Sequence, residues 1–370
     1  GAGESPTTPA WPPALFGPVI DPLTGTAVMG SVTYPRFIPT PSGKLLFTYR
    51  YGGSGGGDEI LYEYDGASHT WSLVGQYTSR SGSYTGTFAS GTDRNGYFDN
   101  TLFDSNGRLH ATWCWRETPD ASSNHDLLYA YSDDAGRTWK NQTGATIGIA
   151  GSSFISINSP GIIGWSIPQK RNYINNSAMT VDSSGRVHVV AWHLPDAAPD
   201  QTFNASLGSS SRFIHYWRGT DGIWRKNETS LTGTRAKLAA DDDGRLFLIY
   251  GDATNVRIAA ANPSSNPETS PANSWSDWAP LTLSGALPAG KANTVNIITD
   301  TARWEADRII SVYAQETNIS GTAPTPLHLL DYHVSRSAVL PTPRHASAAA
   351  AVSPDLSWTA GQKSVAHDVY

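Results

Sequence analysis

Polar and hydrophobic positions alternate along four segments of this chain, and each alternation follows the same kind of turn. Each segment opens with a turn rich in Asp, Ser and Gly, continues with a basic residue, and then alternates along a strand, as in DSNGRLHATWCWR. The segments occupy residues 40–52, 104–116, 182–194 and 241–252. Alternation with a period of two is typical of half-buried β-strands, and Gly with Asp or Ser is typical of the turns between them. The pattern therefore predicts a chain built from β-hairpins.

The four turns recur at intervals that are typical of repeated β-sheet units. Their glycines are Gly43, Gly107, Gly185 and Gly244, which stand 59 to 78 residues apart. Each interval holds about four strands with their turns, as in the blades of a β-propeller. A length of 370 residues favours seven blades, with six as the alternative. We predict an all-β, seven-bladed β-propeller of four-stranded antiparallel blades that forms a single domain over residues 1–370. The N- and C-terminal segments should close the ring, with residues 331–334 as a late strand.

The composition agrees with many short strands and gives no indication of binding to nucleic acid or of a membrane span. The chain contains 35 Gly, 24 Pro and 13 Trp, and only 16% of its residues are charged. A net charge of −6 gives no reason to expect nucleic-acid binding. No apolar run reaches the roughly 18 residues that would span a membrane. The single cysteine, Cys114, excludes an internal disulfide framework and a Cys-based zinc cluster. We expect a monomer.

Five Asn-x-Ser/Thr sequons indicate a secretory route. They begin at Asn141, Asn175, Asn204, Asn227 and Asn318. Such sequons are acceptors for N-glycans in secreted proteins, and five exceed the number that chance would give. The chain starts at Gly1 without a charged and then apolar leader. We therefore expect a secreted, extracellular and N-glycosylated protein whose signal has been removed.

Residues 132–139 carry a second turn pattern. Their sequence, SDDAGRTW, fits S-x-D-x-G-x-T-W, the aspartate-box hairpin of sialidase-like propeller blades. Asp134 and Gly136 should form a tight turn in which the carboxylate replaces backbone partners and the glycine supplies a positive φ. Trp139 should pack the hairpin into its blade, so this box is predicted to be structural.

A dense polar and aromatic cluster lies just before this box, between two strand-like runs. Its members are Trp113, Trp115, Arg116, Asn124, His125 and Asp126. No other repeat has a histidine that matches His125, and polar residues at loop ends on a rigid scaffold are often functional. A functional role for His125 is therefore favoured over a turn histidine bonded to Asp126. Arg116 is either an anion-binding arginine or a salt-bridge partner of Glu117.

The other histidine and tyrosine candidates have structural alternatives. His110 recurs as His188 in the next repeat, which favours packing, because a propeller has one active centre while its blades repeat. Tyr173 precedes a predicted inner strand, where it either packs the blade or supplies an acid–base hydroxyl. His193 and Asn172 could add polar groups on the same face.

Two basic residues, Arg235 and Lys237, begin the inner strand of a later blade. An arginine near the propeller axis is well placed to hold a carboxylate through two hydrogen bonds. Cys/His and Asp/Glu metal spacings, Gly-rich phosphate loops and G-x-S-x-G motifs are missing from the sequence. Residues 241–243, DDD, are interpreted as a turn. No catalytic metal and no cofactor are expected, and a structural Ca²⁺ stays open.

Three segments resemble the BNR-repeat propeller group, which includes ulvan lyases and rhamnose–glucuronate lyases. They are residues 34–65, 107–140 and 175–193, and the W-x-W-R, N-H-D and aspartate-box stretch is the most specific. The resemblance implies a seven-bladed propeller that cleaves bonds at the 4-position of uronic acids. It implies that a histidine pair and a tyrosine serve as base and acid while an arginine holds the uronate carboxylate. On this basis His125 is the predicted catalytic histidine, His110 and Tyr173 are its predicted partners, and Arg235 is the predicted arginine.

Other carbohydrate-active classes remain as alternatives. Residues 34–39, YPRFIP, resemble the Arg-Ile-Pro element of sialidases, but the chain shows one clear aspartate box and no evident Tyr/Glu pair. Some propellers in the group are rhamnosidases with a Gln-His pair, and this chain has no Gln-His dipeptide. A Trp-rich propeller without catalysis would be a carbohydrate-binding protein. β-Elimination needs no paired carboxylates of the kind that glycosidases use, and no such pair is evident here.

Overall fold

The computed structural model of the chain describes residues 31–173, 177–203, 210–233, 236–252, 255–281, 297–315, 327–334, 339–342 and 357–359. Arg235 and the sequons at Asn175, Asn204 and Asn318 lie outside these residues. The regular secondary structure of the described part is almost all β-strand, as the sequence predicts. Its one α-helix, α1 (Thr301–Asp307), begins after Asp300, whose side chain accepts a hydrogen bond from the Arg303 N–H. Short 3-10 turns lie at Ala121–Ser123 and Pro271–Asn273. No helix in the described residues is long and apolar enough to cross a membrane.

The strands form successive antiparallel meanders. The first contains β1 (Val32–Pro39), β2 (Leu45–Gly53), β3 (Gly56–Asp65) and β4 (Thr70–Gln76), and the hairpin of β5 (Ser81–Tyr84) and β6 (Gly91–Asp93) follows it. The second contains β7 (Asn95–Phe103), β8 (Leu109–Arg116), β9 (Asn124–Ser132) and β10 (Thr138–Lys140), with β11 (Thr146–Ile149) paired to β10 and β12 (Ile163–Trp165) paired to β9.

Three further meanders follow in the described chain. The third contains β13 (Ala178–Val181), β14 (Val187–His193), β15 (Arg212–Arg218) and β16 (Trp224–Glu228), and the fourth contains β17 (Lys237–Ala240), β18 (Leu246–Gly251), β19 (Val256–Ala261) and β20 (Ala279–Pro280). The fifth contains β21 (Ile298–Thr299), β22 (Ile309–Gln315) and β23 (Leu327–His333), and β24 (Val339–Thr342) pairs with β25 (Ser357–Thr359). The predicted late strand at residues 331–334 overlaps β23, which pairs with β22 of its own meander. Seven blades and a closed ring stay predictions.

The predicted turns are built by one recurring arrangement. Asp104 Oδ1 accepts from the N–H groups of residues 106 and 108 at 2.9 Å each. Asp182 and Asp241 accept from the corresponding two N–H groups of their own turns. Since an Asp side chain that bonds its own backbone stabilises a turn, the recurrence of the pattern is explained by hairpin formation alone.

The aspartate box is the structural turn that the sequence predicts. Thr138 N–H donates to Asp134 Oδ1 at 2.7 Å, and Gly136 N–H donates to the Ser132 hydroxyl at 2.8 Å. Gly136 has φ +84°. Trp139 is buried and stacks on Tyr77 of the first meander, with ring centroids 5.0 Å apart.

The hydrophobic core lies between neighbouring meanders, so that each sheet packs face to face on the next. One cluster joins Leu46 and Leu61 of the first meander to Trp113 and Trp139 of the second. A second cluster joins the second meander to the third and includes the buried Cys114. Further clusters join the third to the fourth and the fourth to the fifth. Burial of apolar faces between repeats is the usual way in which single blades become stable.

Candidate active site

Strand ends of the first two meanders meet at one edge of the fold, which we call the site end. There β2 and β8 end, and β3, β7 and β9 begin. A parallel pair between Gly57 and Asn95 fastens the start of β3 to the start of β7. The Gly55 N–H also donates to Asn95 Oδ1 at 2.8 Å. Side chains from residues far apart in sequence are thereby brought together.

Two arginines contact the ring of Tyr97, a residue of β7, at the site end. The Cζ atom of Arg116 is 4.2 Å from the Tyr97 ring centroid, and that of Arg50 is 4.9 Å from it. Arg116 Nη1 donates to the Tyr97 hydroxyl at 3.1 Å, and the Ser54 hydroxyl lies 3.3 Å from the same oxygen. The exposed fractions of Tyr97, Arg50 and Arg116 are 3%, 2% and 8%. Two guanidinium groups this close to one phenol stabilise its ionised form.

The pKa of Tyr97 is lowered even though the residue is buried. Burial is the largest influence and raises the pKa, because a buried phenolate loses hydration. The hydrogen bond with Ser54 and the positive charge of Arg116 act in the opposite direction and, with smaller contributions, prevail. Among the described tyrosines with a shifted pKa, Tyr97 is the one whose pKa falls. Its hydroxyl therefore gives up a proton more readily than an ordinary tyrosine does.

Asn124, at the start of β9, orients Arg116. Its Oδ1 accepts from Arg116 Nε at 2.7 Å, and its Nδ2 donates to the Tyr173 carbonyl at 2.7 Å. The strand pairing places Arg116 opposite Asn124, so this contact follows directly from the register of β8 and β9. The sequence places both residues in one polar and aromatic cluster as candidates for substrate binding, and the structure brings them together.

Tyr34 is the solvent-facing member of the cluster that it forms with Arg50, Tyr97 and Arg116. Its side chain is 43% exposed, and its ring meets the Tyr97 ring edge-on with centroids 5.5 Å apart. The Arg50 Cζ atom lies 4.7 Å from the Tyr34 ring centroid. Tyr34 has φ +54°, which is rare for a bulky residue, and the β1–β2 register shifts between Thr33 and Arg36. Irregularities of this kind re-aim side chains near functional sites.

A small cavity lies behind Tyr97. It is lined by Tyr34, Arg36, Thr48, Glu59, Gly96, Tyr97, Phe98 and Thr101, and about 10 Å³ is open to the centre of a water molecule, which is room for roughly one water. Burial raises the pKa of Glu59 to about 7, against the opposing charges of Arg36 and Arg50. Arg36 donates to the Phe98 carbonyl and so links β1 to β7. The arginine of the YPRFIP segment thus serves strand packing.

His125 lies beside this cluster and is fully buried. Its Nε2 is 3.0 Å from Glu117 Oε1, and its Nδ1 is 2.9 Å from Asp126 Oδ2. Glu117 also accepts from Arg94 Nε at 2.8 Å and from Arg94 Nη2 at 3.0 Å. The Tyr84 ring stacks on the imidazole with centroids 4.2 Å apart and an angle of 11°. Burial is the largest influence and lowers the pKa of His125, but the bonds and charges of Asp126 and Glu117 raise it overall.

A comparison with known families decides where the chain belongs. The model of a family described as "BNR repeat-containing family member" matches residues 5–231, which is more than half of the sequence. The chain belongs to the BNR repeat-containing family. This confirms the resemblance that the sequence shows to that group.

Relatives of this BNR repeat protein include two proteins named "Ulvan lyase, long isoform". The protein from Pseudoalteromonas sp. (strain PLSV) is 27% identical over 168 residues, and that from Alteromonas sp. (strain LOR) is 26% identical over 168 residues. Each alignment covers 43% of this chain and only 16% of the relative. The crystal structure of polysaccharide lyase Uly1 matches with a TM-score of 0.57 at 17% identity, over 84% of this chain and 60% of that chain. At this identity the match shows a shared fold.

His110 is not close to His125 in this BNR repeat protein. Along β8 and β9, His110 pairs with Tyr131 whereas His125 pairs with Trp115. Five residues of β8 separate the two positions, which is roughly 17 Å. His110 is buried, with Nδ1 2.9 Å from the Tyr129 hydroxyl and Nε2 3.2 Å from Asp104 Oδ2. The structure therefore does not bring His110 next to His125, because the strand holds the two at opposite ends. A catalytic role for His110 stays a prediction.

Three other predicted site residues are buried where the second and third meanders meet. His193 Nδ1 lies 2.8 Å from the Leu194 carbonyl and Nε2 lies 2.8 Å from the Tyr216 hydroxyl, and burial lowers the pKa of His193 to about 4. Tyr173 is 1% exposed, and burial raises its pKa well above the ordinary value. Asn172 is fully buried and donates to the Ser211 hydroxyl at 3.0 Å. Their roles in substrate binding or catalysis stay predictions.

The structure describes only one of the two basic residues that were predicted to begin the inner strand of a later blade. Arg235 lies outside the described residues, so its distance from His125 is not defined. Lys237 begins β17, is exposed, and pairs in register with Ile249 of β18. In the described ranges no group of three or more His, Cys, Asp or Glu side chains is arranged to hold a metal ion.

Three residues of the cluster were missed by the sequence analysis: Tyr34, Arg50 and Tyr97. Tyr97 lies in GYFDN, a strand that carries no turn signal of its own. Arg50 follows the first repeat turn by seven residues and Arg116 follows the second by nine, so a strand-end arginine in two repeats was a usable signal. Arg50, Tyr97 and Arg116 come together only through the packing of the first two meanders, and the sequence pattern does not predict that packing.

Proposed function

We propose that this BNR repeat protein is a polysaccharide lyase that cleaves a glycosidic bond at C4 of a uronic acid by β-elimination. The linkage proposed is rhamnose–glucuronate or a related glucuronan- or ulvan-type bond. The relatives named ulvan lyase support the reaction class. The single observation that carries the proposal is the stack of Arg50, Tyr97 and Arg116, which combines carboxylate-binding groups with a tyrosine of lowered pKa.

The two arginines would neutralise the uronate carboxylate. Elimination removes the C5 proton, which is too weakly acidic while the neighbouring carboxylate keeps its full charge. Cationic donors lower this barrier because they stabilise the enolate-like intermediate. Arg116 is oriented by Asn124, and Nη1 of Arg50 is buried without a hydrogen-bond partner among the described residues. That unused donor beside Tyr97 is the kind of group that a carboxylate ligand would satisfy.

Tyr97 would move the protons. Its hydroxyl accepts a hydrogen bond from Arg116 Nη1, so a carboxylate held by Arg116 brings the adjacent C5 proton towards the same oxygen. Ionised Tyr97 takes the C5 proton, and the protonated hydroxyl then returns a proton to the leaving oxygen at C4. In this proposal Tyr97 takes the role that the family resemblance assigned to His125 with His110 or Tyr173.

Replacing the Tyr97 hydroxyl tests this assignment. Tyr97→Phe should lower kcat for elimination by about 10²–10⁴-fold, because the ring still packs while the acid–base group is lost. Tyr64→Phe is the matched control, since the Tyr64 hydroxyl bonds the exposed His69, 3.3 Å away. The rate is followed by the ultraviolet absorbance of the unsaturated uronate product. A Tyr97→Phe enzyme with the elimination rate of the Tyr64→Phe enzyme would refute the role of Tyr97.

The closed form of the fold is a further part of the proposal. We propose that the meanders belong to one seven-bladed ring over residues 1–370 that is closed by the N- and C-terminal segments and acts as a monomer. Its support is the face-to-face packing of each described meander on the next. No cofactor is required, and a structural Ca²⁺ would be detected by metal analysis of the purified protein. A crystal structure with six or eight blades would contradict the blade count.

We also propose that the protein is secreted and N-glycosylated. Of the five sequons, two lie in described residues, and both asparagines donate to carbonyl groups: Asn141 to Pro160 at 2.9 Å and Asn227 to Ser274 at 2.7 Å. The donating Nδ2 atom is the atom to which a glycan is attached, and Asn141 is buried. Glycans are therefore expected at the remaining sequons, and peptide mass spectrometry of the secreted protein would locate them.

A further inference from the structure

Four charged side chains form an unbroken chain beside the proposed catalytic cluster. In order they are Arg94, Glu117, His125 and Asp126, and successive members lie 2.8 to 3.0 Å apart. The side chains of Arg94, Glu117 and His125 are fully buried, and that of Asp126 is 13% exposed. The signs alternate along the chain when His125 carries a proton on both ring nitrogens. Buried charges are tolerated when they are paired in this way.

Hydrogen-bond chemistry fixes the protonation of His125. Ionised carboxylates only accept hydrogen bonds, so an imidazole held by a carboxylate at each nitrogen must donate from both. Glu117 remains ionised, because Arg94 binds both of its oxygens. The other oxygen of Asp126, Oδ1, accepts from the Ile167 N–H at 3.0 Å and from the Ser166 hydroxyl at 3.1 Å. A base needs a free lone pair, and His125 in this arrangement has none.

The same charged chain holds the β5–β6 hairpin in place. Arg94 Nη2 donates to the Gly82 carbonyl at 2.7 Å, and Arg94 Nη1 donates to the Arg80 carbonyl at 3.2 Å. Tyr84, the last residue of β5, stacks on the His125 ring. The far end of the hairpin is held separately, where the Phe88 and Ala89 N–H groups donate to Gln169 Oε1 at 2.8 and 3.0 Å. One face of the imidazole is therefore covered by the hairpin that it supports.

We propose that His125 is a permanently protonated positioning residue that fastens the β5–β6 hairpin to the end of β8, and that it does not transfer the substrate proton. Glu117, its partner, directly follows Arg116 of the catalytic cluster, so the charged chain fixes both the hairpin and the backbone that carries Arg116. The statement about proton transfer rests on the proposed function, whereas the statement about protonation and anchoring does not.

Nitrogen NMR of the wild-type protein tests the protonation directly. With ¹⁵N-labelled histidine, and with the His125 signals assigned by their loss in His125→Gln, both ring nitrogens should carry protons at neutral and mildly alkaline pH. A neutral tautomer of His125 at pH 7 would overturn the proposal. This experiment needs no substrate, so it decides the question even if the chain proves to have no lyase activity.

A matched pair of variants tests the anchoring. In His125→Gln, hydrogen exchange of residues 81–93 should rise, whereas His215→Gln, which removes another fully buried histidine, should leave that segment unchanged. Unchanged exchange at 81–93 in His125→Gln would overturn the anchoring role.

Kinetics of the same variants separate positioning from catalysis. Loss of anchoring hydrogen bonds should lower kcat/KM of His125→Gln by about tenfold, mainly through KM. The acidic limb of the pH–rate profile, which is the fall in rate as the catalytic base becomes protonated, should remain. Loss of a general base would instead cost about 10²–10⁴-fold in kcat and remove that limb, which would overturn the proposal. Absence of elimination in the wild type would refute the proposed function and leave the NMR and exchange results to decide the role of His125.

Discussion

At the scale of single residues, neighbours decide what a side chain can do. Tyr97 and Tyr173 are both buried tyrosines, yet the pKa of Tyr97 falls beside Arg116 and that of Tyr173 rises where burial prevails. His125 and His193 show the same contrast, since two carboxylates raise the pKa of His125 and burial lowers that of His193. Residue type and spacing alone could name these residues as candidates. They could not assign the roles, because the neighbours come from other strands.

Arg116 offers a prediction at this scale. Arg116→Lys keeps a positive charge but loses the planar fork that bonds Tyr97 and Asn124 together. We expect kcat/KM for elimination to fall by about 10²–10³-fold, as when a donor to a developing oxyanion is removed. Arg108→Lys is the control, because Arg108 also stacks on a tyrosine, with its Cζ atom 4.1 Å from the Tyr131 ring, but at the opposite end of β8. Equal losses in the two variants would contradict the role of Arg116.

At the scale of elements, the turns were predictable because they are local. The aspartate box and the repeated Asp–Gly turns depend on residues within about eight positions of one another, and the structure has them where the sequence places them. The β5–β6 hairpin was not predicted. Its residues lack strong alternation, and its position depends on Arg94 and on Gln169, far along the chain.

Two turn glycines provide a matched test of this view. Gly107 and Gly136 have nearly equal φ values, +83° and +84°. A Cβ at Gly107 would meet nothing within 4 Å, whereas one at Gly136 would lie 2.5 Å from Leu61 Cδ2. Gly107→Ala should therefore lower the free energy of unfolding by about 1–2 kcal/mol from backbone strain alone, and Gly136→Ala by about 1–3 kcal/mol more from overpacking.

Urea denaturation of both variants measures the difference. Equal destabilisation would mean that the box does not pack against the first meander as described.

At the scale of the whole molecule, the all-β class and the repeated meanders followed from periodicity, but the site did not. Periodicity defines which residues face a core, and the cores indeed lie between successive meanders. It does not define which strand ends meet across meanders. The pairing of Gly57 with Asn95 brings Arg50 next to Tyr97, and no local pattern encodes that contact.

Acid stability reports on how the second meander is held together. Burial tends to raise the pKa of Asp104, but the His110 hydrogen bond and the Arg108 N–H lower it to about 2. A carboxyl group whose folded pKa lies below its unfolded value of about 3.9 stabilises the fold above that pH, and the contribution is lost as the pH falls to about 2. Asp104→Asn should therefore be less stable than the wild type at neutral pH, and the gap should narrow on acidification.

Urea denaturation at a series of pH values would follow that gap. A gap that stays constant from neutral pH to about pH 2 would show that Asp104 is not stabilised in its charged form.

We have proposed that the cluster of Arg50, Tyr97 and Arg116 performs β-elimination on a uronate glycan. The most direct measurement is the structure of the product after wild-type protein acts on rhamnose–glucuronate, glucuronan and ulvan substrates. Ultraviolet absorbance and mass spectrometry would identify the new non-reducing end. We expect an unsaturated uronate with a double bond between C4 and C5, and we expect Tyr97→Phe not to form it. A saturated uronate released by addition of water would contradict it and indicate a glycoside hydrolase, and binding without any product would indicate a carbohydrate-binding protein.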